Sequence, residues 1–174
     1  MARKVLTRSD VLDALSASPR RIAHLTSGIP AAQLQTPPGP KEWSVNEVLA
    51  HLRSCADVGG AAIAAIVAED GVTLKGVDPR TWIKKTDYPR LAFRQSFRAF
   101  SAQRDELLAI LEPLPPAAWS RRAIVTGGGV SSEKTVSFYA EWLAGHEQRH
   151  LRQIAQIVGR RDDQILRGRT LVRR

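Results

Sequence analysis

The chain has 174 residues, 43% hydrophobic and 25% charged, with a formal charge of +9; this is the make-up of one globular domain able to bury its own core. A single cysteine, Cys55, excludes an internal disulfide and fits a reducing compartment, the cytoplasm. No apolar core of a secretory signal follows the basic N-terminus, and no apolar run approaches the roughly 20 residues that span a bilayer.

The charge invites a nucleic-acid partner, because lysine and arginine displace counterions from phosphates. Its distribution argues otherwise. Six arginines between Arg160 and Arg174, against Asp162 and Asp163, carry +4 of the +9. No recognition-helix signature, aromatic-basic interleaving or zinc-finger spacing accompanies them. A helical domain over 1–159 followed by a loose, solvated basic tail over 160–174 is therefore expected.

Four main helical stretches follow one another, without an internal repeat. The first runs from about Thr7 to Gly28, with Thr7 and Asp10 at capping-box spacing. Its apolar face is Val11, Leu12, Leu15, Ile22, Leu25 and Ile29, and Pro19 predicts a kink or a fresh start. The proline-rich segment 30–40 is a loop. The second helix has the clearest start: Ser44 and Glu47 form a capping box, flanked by Trp43 and Val48 at the staple positions. Val45, Val48, Leu49, Leu52, Ala56, Ile63 and Ile66 recur at helical spacing and put His51 at the buried face. Gly59 and Gly60 weaken the helix and permit close approach of another element.

A long loop carrying Trp82 spans 71–87. The third helix, from about Pro89 to Leu111, has its stripe at Leu91, Phe97, Phe100, Leu107, Leu108 and Leu111, with arginines largely between. Pro113, Pro115 and Pro116 end it. After an irregular stretch with Trp119 and the flexible Gly127–Gly129 triplet, Thr135 caps a fourth helix that runs to about Val158. Its stripe is Tyr139, Trp142, Leu143, His146, His150, Ile154 and Ile157. The segments 72–74 and 124–126 are too short to build a sheet, so the fold expected is all-α, a four-helix bundle.

Three of the four histidines occupy inward positions on these helices. His146 and His150 are one turn apart on one face, with Cβ atoms about 6 Å from each other. His51 on the second helix could complete a facial set of three nitrogens that leaves a position open. A single buried histidine is usually satisfied structurally, whereas two adjacent imidazoles without a shared purpose waste polar groups in a core. His24, with no histidine or carboxylate one turn away, reads as an exposed residue. Cys55, one turn beyond His51, reads as packing. The glycine triplet lacks the Gly-Lys-Ser/Thr of a phosphate loop. Ser131, Ser132 and Ser137 lack the context of a nucleophile elbow.

The segment Lys41-Glu-Trp-Ser-Val-Asn-Glu-Val-Leu-Ala-His51-Leu resembles the W-S-x-x-E-x-x-x-H-L signature of the DinB-like superfamily, also called DinB/YfiT-like. Gly145-His146-Glu-Gln-Arg-His150-Leu-Arg-Gln153-Ile resembles its closing helix, H-x-x-x-H-x-x-Q-I. The likeness spans roughly 7–158, with Arg149 where many relatives carry a further histidine. It implies a four-helix bundle in which His51, His146 and His150 bind one divalent metal (zinc, nickel or iron), and it implies a homodimer.

Characterised relatives include transferases and isomerases using low-molecular-weight thiols such as bacillithiol, mycothiol or glutathione. By that likeness the chain is a thiol-dependent S-transferase acting on a small electrophile; a non-catalytic metal-binding or stress-response module and a metal-dependent hydrolase are the alternatives. Arg149 or Arg152 would hold an acidic thiol or substrate. Glu47 and Gln153 are the candidates to orient histidine rings, although the capping box already claims Glu47.

Overall fold

A computed structural model describes the backbone of residues 6–171 and the side chains of residues 6–160. Helix α1 spans Arg8–Leu25, and its start is the capping box anticipated at Thr7. The Thr7 hydroxyl accepts the Asp10 N–H at 3.1 Å, and the Asp10 carboxylate accepts the Thr7 N–H at 2.9 Å. Pro19 neither ends nor restarts the helix. Short helices α2 (Ala31–Gln35) and α4 (Pro79–Trp82) flank the long α3 (Val45–Ala68). Helices α5 (Phe93–Leu111) and α6 (Val136–Leu171) complete the set.

Both α1 and α3 pack against α5 and α6, which places them at opposite corners of a four-helix arrangement. Helix α3 is long and apolar enough to cross a membrane by length and composition. Its apolarity has another origin, since fifteen of its residues are buried in the bundle. Where α3 passes α6, Gly59 backs onto Leu143, and a Cβ on Gly59 would stand 2.9 Å from Leu143 Cδ1. Gly60 faces open space, so only the first of the two glycines serves a close approach.

The core divides into two apolar clusters. One gathers Leu15, Cys55, Ile63, Leu107 and Leu143; the other gathers Ile22, Leu52, Phe100, Leu151 and Ile154. Between them, at one level of the bundle, each helix contributes polar side chains: Ser18, His51, Arg104, His146 and Glu147. Arg104 is therefore no surface arginine between apolar positions, as the spacing of α5 suggested. It is fully buried and pairs with Glu147 at 2.6 Å.

The fold is mostly helical but not strictly all-α. Strands β1 (Val72–Lys75), β2 (Arg122–Gly127) and β3 (Val130–Thr135) form one sheet in that order. β1 runs parallel to β2, with Val72 opposite Ala123, and β3 returns antiparallel, with Gly127 opposite Val130. The glycine triplet is a tight hairpin rather than a flexible connector. Gly128 and Gly129 hold φ of +57° and +78°, as a two-residue turn of matching twist demands. Residues read as isolated short runs find their partners about fifty positions away.

Thr135 caps α6 as expected, accepting the Phe138 N–H at 3.0 Å. The helix does not stop near Val158. It passes through Gly159 to Leu171, because a helical glycine costs only about 1 kcal/mol relative to alanine. Arg160, placed at the start of the expected tail, donates to Glu42 at 2.8 Å. Residues 172–174 of that tail lie outside the described residues.

Candidate metal centre

Two caps and one glycine contact set the position of the histidines. The Ser44 hydroxyl accepts the Glu47 N–H at 3.1 Å, while the Glu47 carboxylate accepts the Ser44 N–H at 2.7 Å. This fixes the start of α3 two turns before His51. Glu47 is thus committed to the cap and orients no imidazole. On the facing helix, His146 and His150 stand one turn apart. The three rings converge, with centroids 5.0 Å apart for His51 and His146, 5.0 Å for His51 and His150, and 4.5 Å for His146 and His150. His24 remains exposed on α1.

Nε2 of His51 lies 3.3 Å from Nε2 of His146. Two nitrogens bound to one tetrahedral ion at about 2.0–2.1 Å stand about 3.3–3.4 Å apart, so the pair has the spacing of one edge of such a site. His150 has its Nδ1 2.7 Å from Gln153 Oε1. An amide oxygen only accepts, so Nδ1 carries the proton and Nε2 keeps its lone pair. That is the tautomer a ligand needs. Gln153, a candidate from its spacing, makes the hydrogen bond that would orient this ring.

Electrostatics keep the rings neutral. Burial, followed by the charges of His150 and Arg80, holds His51 down at about 4, with Asp78 opposing. Burial, then His150, His51 and Arg149, holds His146 at about 3. Burial also lowers His150, against the hydrogen bond it donates to Gln153. Neutral imidazoles with free lone pairs are the form that accepts a cation.

Cys55 belongs to this neighbourhood more closely than packing requires. Its Sγ is 3.6 Å from His51 Nε2. The donor atoms of His51, Cys55 and His146 all lie within 4.8 Å of one another. Among the described residues the gathered trio thus contains the cysteine and not His150, whose ring adjoins both other histidines. Without a cation beside it the thiol is pushed up to about 12, first by burial and then by Glu147 and Asp78. Its spacing of one turn from His51 put both on one helix face in the sequence, and the fold turns the thiol toward the His51 ring.

Tryptophans wall the cluster. Trp43 lies over the rings, 5.2 Å from His51 and nearly parallel to His150 at 6.3 Å. Trp142 packs at 5.6 Å from His146. On the His150 side opens a polar cavity of about 480 Å³ lined by Lys41, Glu42, Trp43, Gln153, Gln156 and Arg160. Arg149 and Arg152, the arginines expected at the mouth, are exposed and do not line it. On the Trp142 side lies a second, largely apolar cavity of about 370 Å³.

The fold has solved counterparts. YfiT from Bacillus subtilis, described as a probable metal-dependent hydrolase with an unusual four-helix bundle topology, superposes with a TM-score of 0.76 at 16% identity over 93% of each chain. A mycothiol-dependent maleylpyruvate isomerase gives 0.64 at 11% identity, covering 84% of this chain and 60% of the isomerase. A Streptococcus pneumoniae protein gives 0.62 at 10% identity over 91% of this chain and 95% of its own. At such identities the likeness concerns the fold. No curated protein matches the sequence. The DinB superfamily model matches residues 14–154, from within α1, across every residue of the candidate centre, to within α6. The chain is a member of the DinB superfamily.

Proposed function

We propose that the protein binds one divalent metal through His51, His146 and His150, and that it uses the metal to transfer a low-molecular-weight thiol to a small electrophile. The observation that carries this reading is the 3.3 Å approach of two neutral imidazole nitrogens, His51 Nε2 and His146 Nε2. Two such lone pairs repel one another unless a proton or a cation lies between them. When bound, the ion would supply Lewis acidity that favours the thiolate, the reactive form of a thiol.

The protein's own groups take defined parts. Gln153 keeps the His150 proton on Nδ1, and Trp43 and Trp142 shield the rings from water. The polar cavity beside His150 offers Lys41 and Gln156 to a charged, hydrogen-bonding co-substrate. A mycothiol-dependent enzyme among the structural counterparts accords with a thiol as co-substrate.

The test is metal analysis of protein purified without a histidine tag, followed by a thiol-consumption assay against a panel of electrophiles. One equivalent of metal is expected, lost in His51→Ala, His146→Ala and His150→Ala, together with metal-dependent thiol consumption. Stoichiometric metal surviving all three substitutions would exclude the site.

Cys55 favours a second reading. Nitrogen and sulfur ligands of one tetrahedral zinc stand about 3.5–3.6 Å apart, given bonds of about 2.0–2.1 and 2.3 Å, and Sγ lies 3.6 Å from His51 Nε2. Three imidazoles and a thiolate would close the site and make it a non-catalytic metal holder. Cobalt substitution separates the two. An intense sulfur-to-cobalt absorption band that disappears in Cys55→Ser would mark the closed site; its absence leaves the fourth position to a co-substrate.

A further inference from the structure

The apolar cavity between α3 and α6 is too well built to be a packing defect. One wall is Val58 and Ala61, beyond Cys55 along α3. The opposite wall is Phe138, Tyr139 and Trp142 of α6. Trp142 is shared with the metal centre, its ring standing 5.6 Å from that of His146. The third wall, residues 74–82, is a strap tied down at two points. The Ser54 hydroxyl donates to the Pro79 carbonyl at 2.6 Å. Asp57 Oδ2 accepts from Trp82 Nε1 at 2.9 Å and from the Tyr88 hydroxyl at 2.8 Å, while Oδ1 accepts from Gln103.

We propose that this cavity binds a planar aromatic ring system, and, on the reading given above, that the ring belongs to the electrophilic substrate. Polarity sets the class of ligand. Both carboxylate oxygens of Asp57 are engaged by Trp82, Tyr88 and Gln103, and the lining is largely apolar despite Lys75 and the Tyr139 hydroxyl, so a ligand of mostly apolar surface gains more here than one that brings several polar groups. Shape sets planarity. Trp82, Tyr139 and Trp142 offer faces and edges on which an aromatic ring stacks more favourably than a puckered one. The volume of about 370 Å³ falls in the lower part of the range of about 300–1,000 Å³ for small-molecule sites, room for one or two fused rings with a short substituent. At the mouth, Val77, Trp82 and Phe138 remain 46%, 36% and 44% exposed, an apolar rim at the entrance.

Calorimetric titration of the full chain with 2-naphthol and with decahydro-2-naphthol, its saturated counterpart, tests this. Saturable 1:1 binding of 2-naphthol is expected, at least tenfold tighter than that of the saturated compound. Ala61→Phe, at an exposed helix position, should weaken it at least tenfold with metal content and Tm unchanged; Trp82→Ala, which also cuts the strap's tie to Asp57, should weaken it at least tenfold with metal content unchanged. His150→Ala should keep the 2-naphthol affinity within twofold, so that this proposal and the metal reading fail separately. No saturable binding, equal affinity for the two compounds, or binding unaffected by both cavity variants overturns the proposal. So does a dimer that Phe138→Asp splits and that takes up no 2-naphthol, since a second copy would then own the mouth.

Discussion

Arg104 of α5 reaches Glu147 of α6 at 2.6 Å, with each side chain only 1% exposed. The pair adjoins the candidate metal centre through the backbone, because Glu147 directly follows His146. Burial pushes the Glu147 carboxyl up, while the Arg104 guanidinium draws it back. Nε and Nη1 of Arg104 find no hydrogen-bond partner among the described residues, so the layer is incompletely compensated. Removing one partner strands a buried charge. Glu147→Ala should therefore lose about 3–5 kcal/mol in urea unfolding, whereas the double replacement Arg104→Met with Glu147→Leu should come out near neutral or more stable. A Glu147→Ala protein as stable as the parent would contradict the ion pair.

On the proposed reading, Gln153 would act on the metal only through the His150 ring it holds. Gln153→Leu removes the acceptor for His150 Nδ1 and frees the ring to turn and change tautomer. Metal affinity should fall by about 10- to 100-fold, with the fold intact by circular dichroism. Zinc titration of the stripped protein measures it.

The metal-free protein should become less stable as acidity rises, with a window set by the histidines. His51 and His146 are held at about 4 and about 3 in the fold, below the 6.5 of a free imidazole. As pH falls below 6.5 the unfolded chain takes up protons that the folded one refuses. The contribution present above 6.5 is thus lost progressively down to about 3. Glu147, held up in the fold, acts with the opposite sign. Urea midpoints between pH 7.5 and 4.5 should fall steeply in the parent protein and less steeply in a His51→Gln, His146→Gln double variant. Parallel slopes would refute the assignment.

The hairpin turn can be probed without touching the site. Gly129 has φ +78°, and a Cβ there meets nothing within 4 Å. Gly129→Ala therefore reports backbone strain alone, about 1–2 kcal/mol, read as a lower Tm with unchanged metal stoichiometry.

Local chemistry made much of the molecule legible in sequence. The Thr7–Asp10 and Ser44–Glu47 caps, the helical stripes and the inward turn of His51, His146 and His150 all depend on residues within one or two turns. The sheet escaped because β1 and β2 pair across fifty residues, and because β3 is mostly exposed and polar, with no alternation to betray it. Arg104 looked like a surface arginine because its partner sits on another helix. Trp43 occupies a staple position, yet its ring covers two imidazoles that its local spacing could not locate. Asp57 gathers donors from positions 82, 88 and 103, an arrangement that only the tertiary fold assembles.

A hydrogen in place of a methyl group sets how closely α3 and α6 approach beside the candidate metal centre. Gly59 lets α6 nestle against α3 at Leu143, one turn short of His146. A methyl group at Gly59 would press on the buried Leu143 side chain, which would have to shift to admit it. The seating of the two helices beside the histidines thus rests partly on a side chain that does not exist.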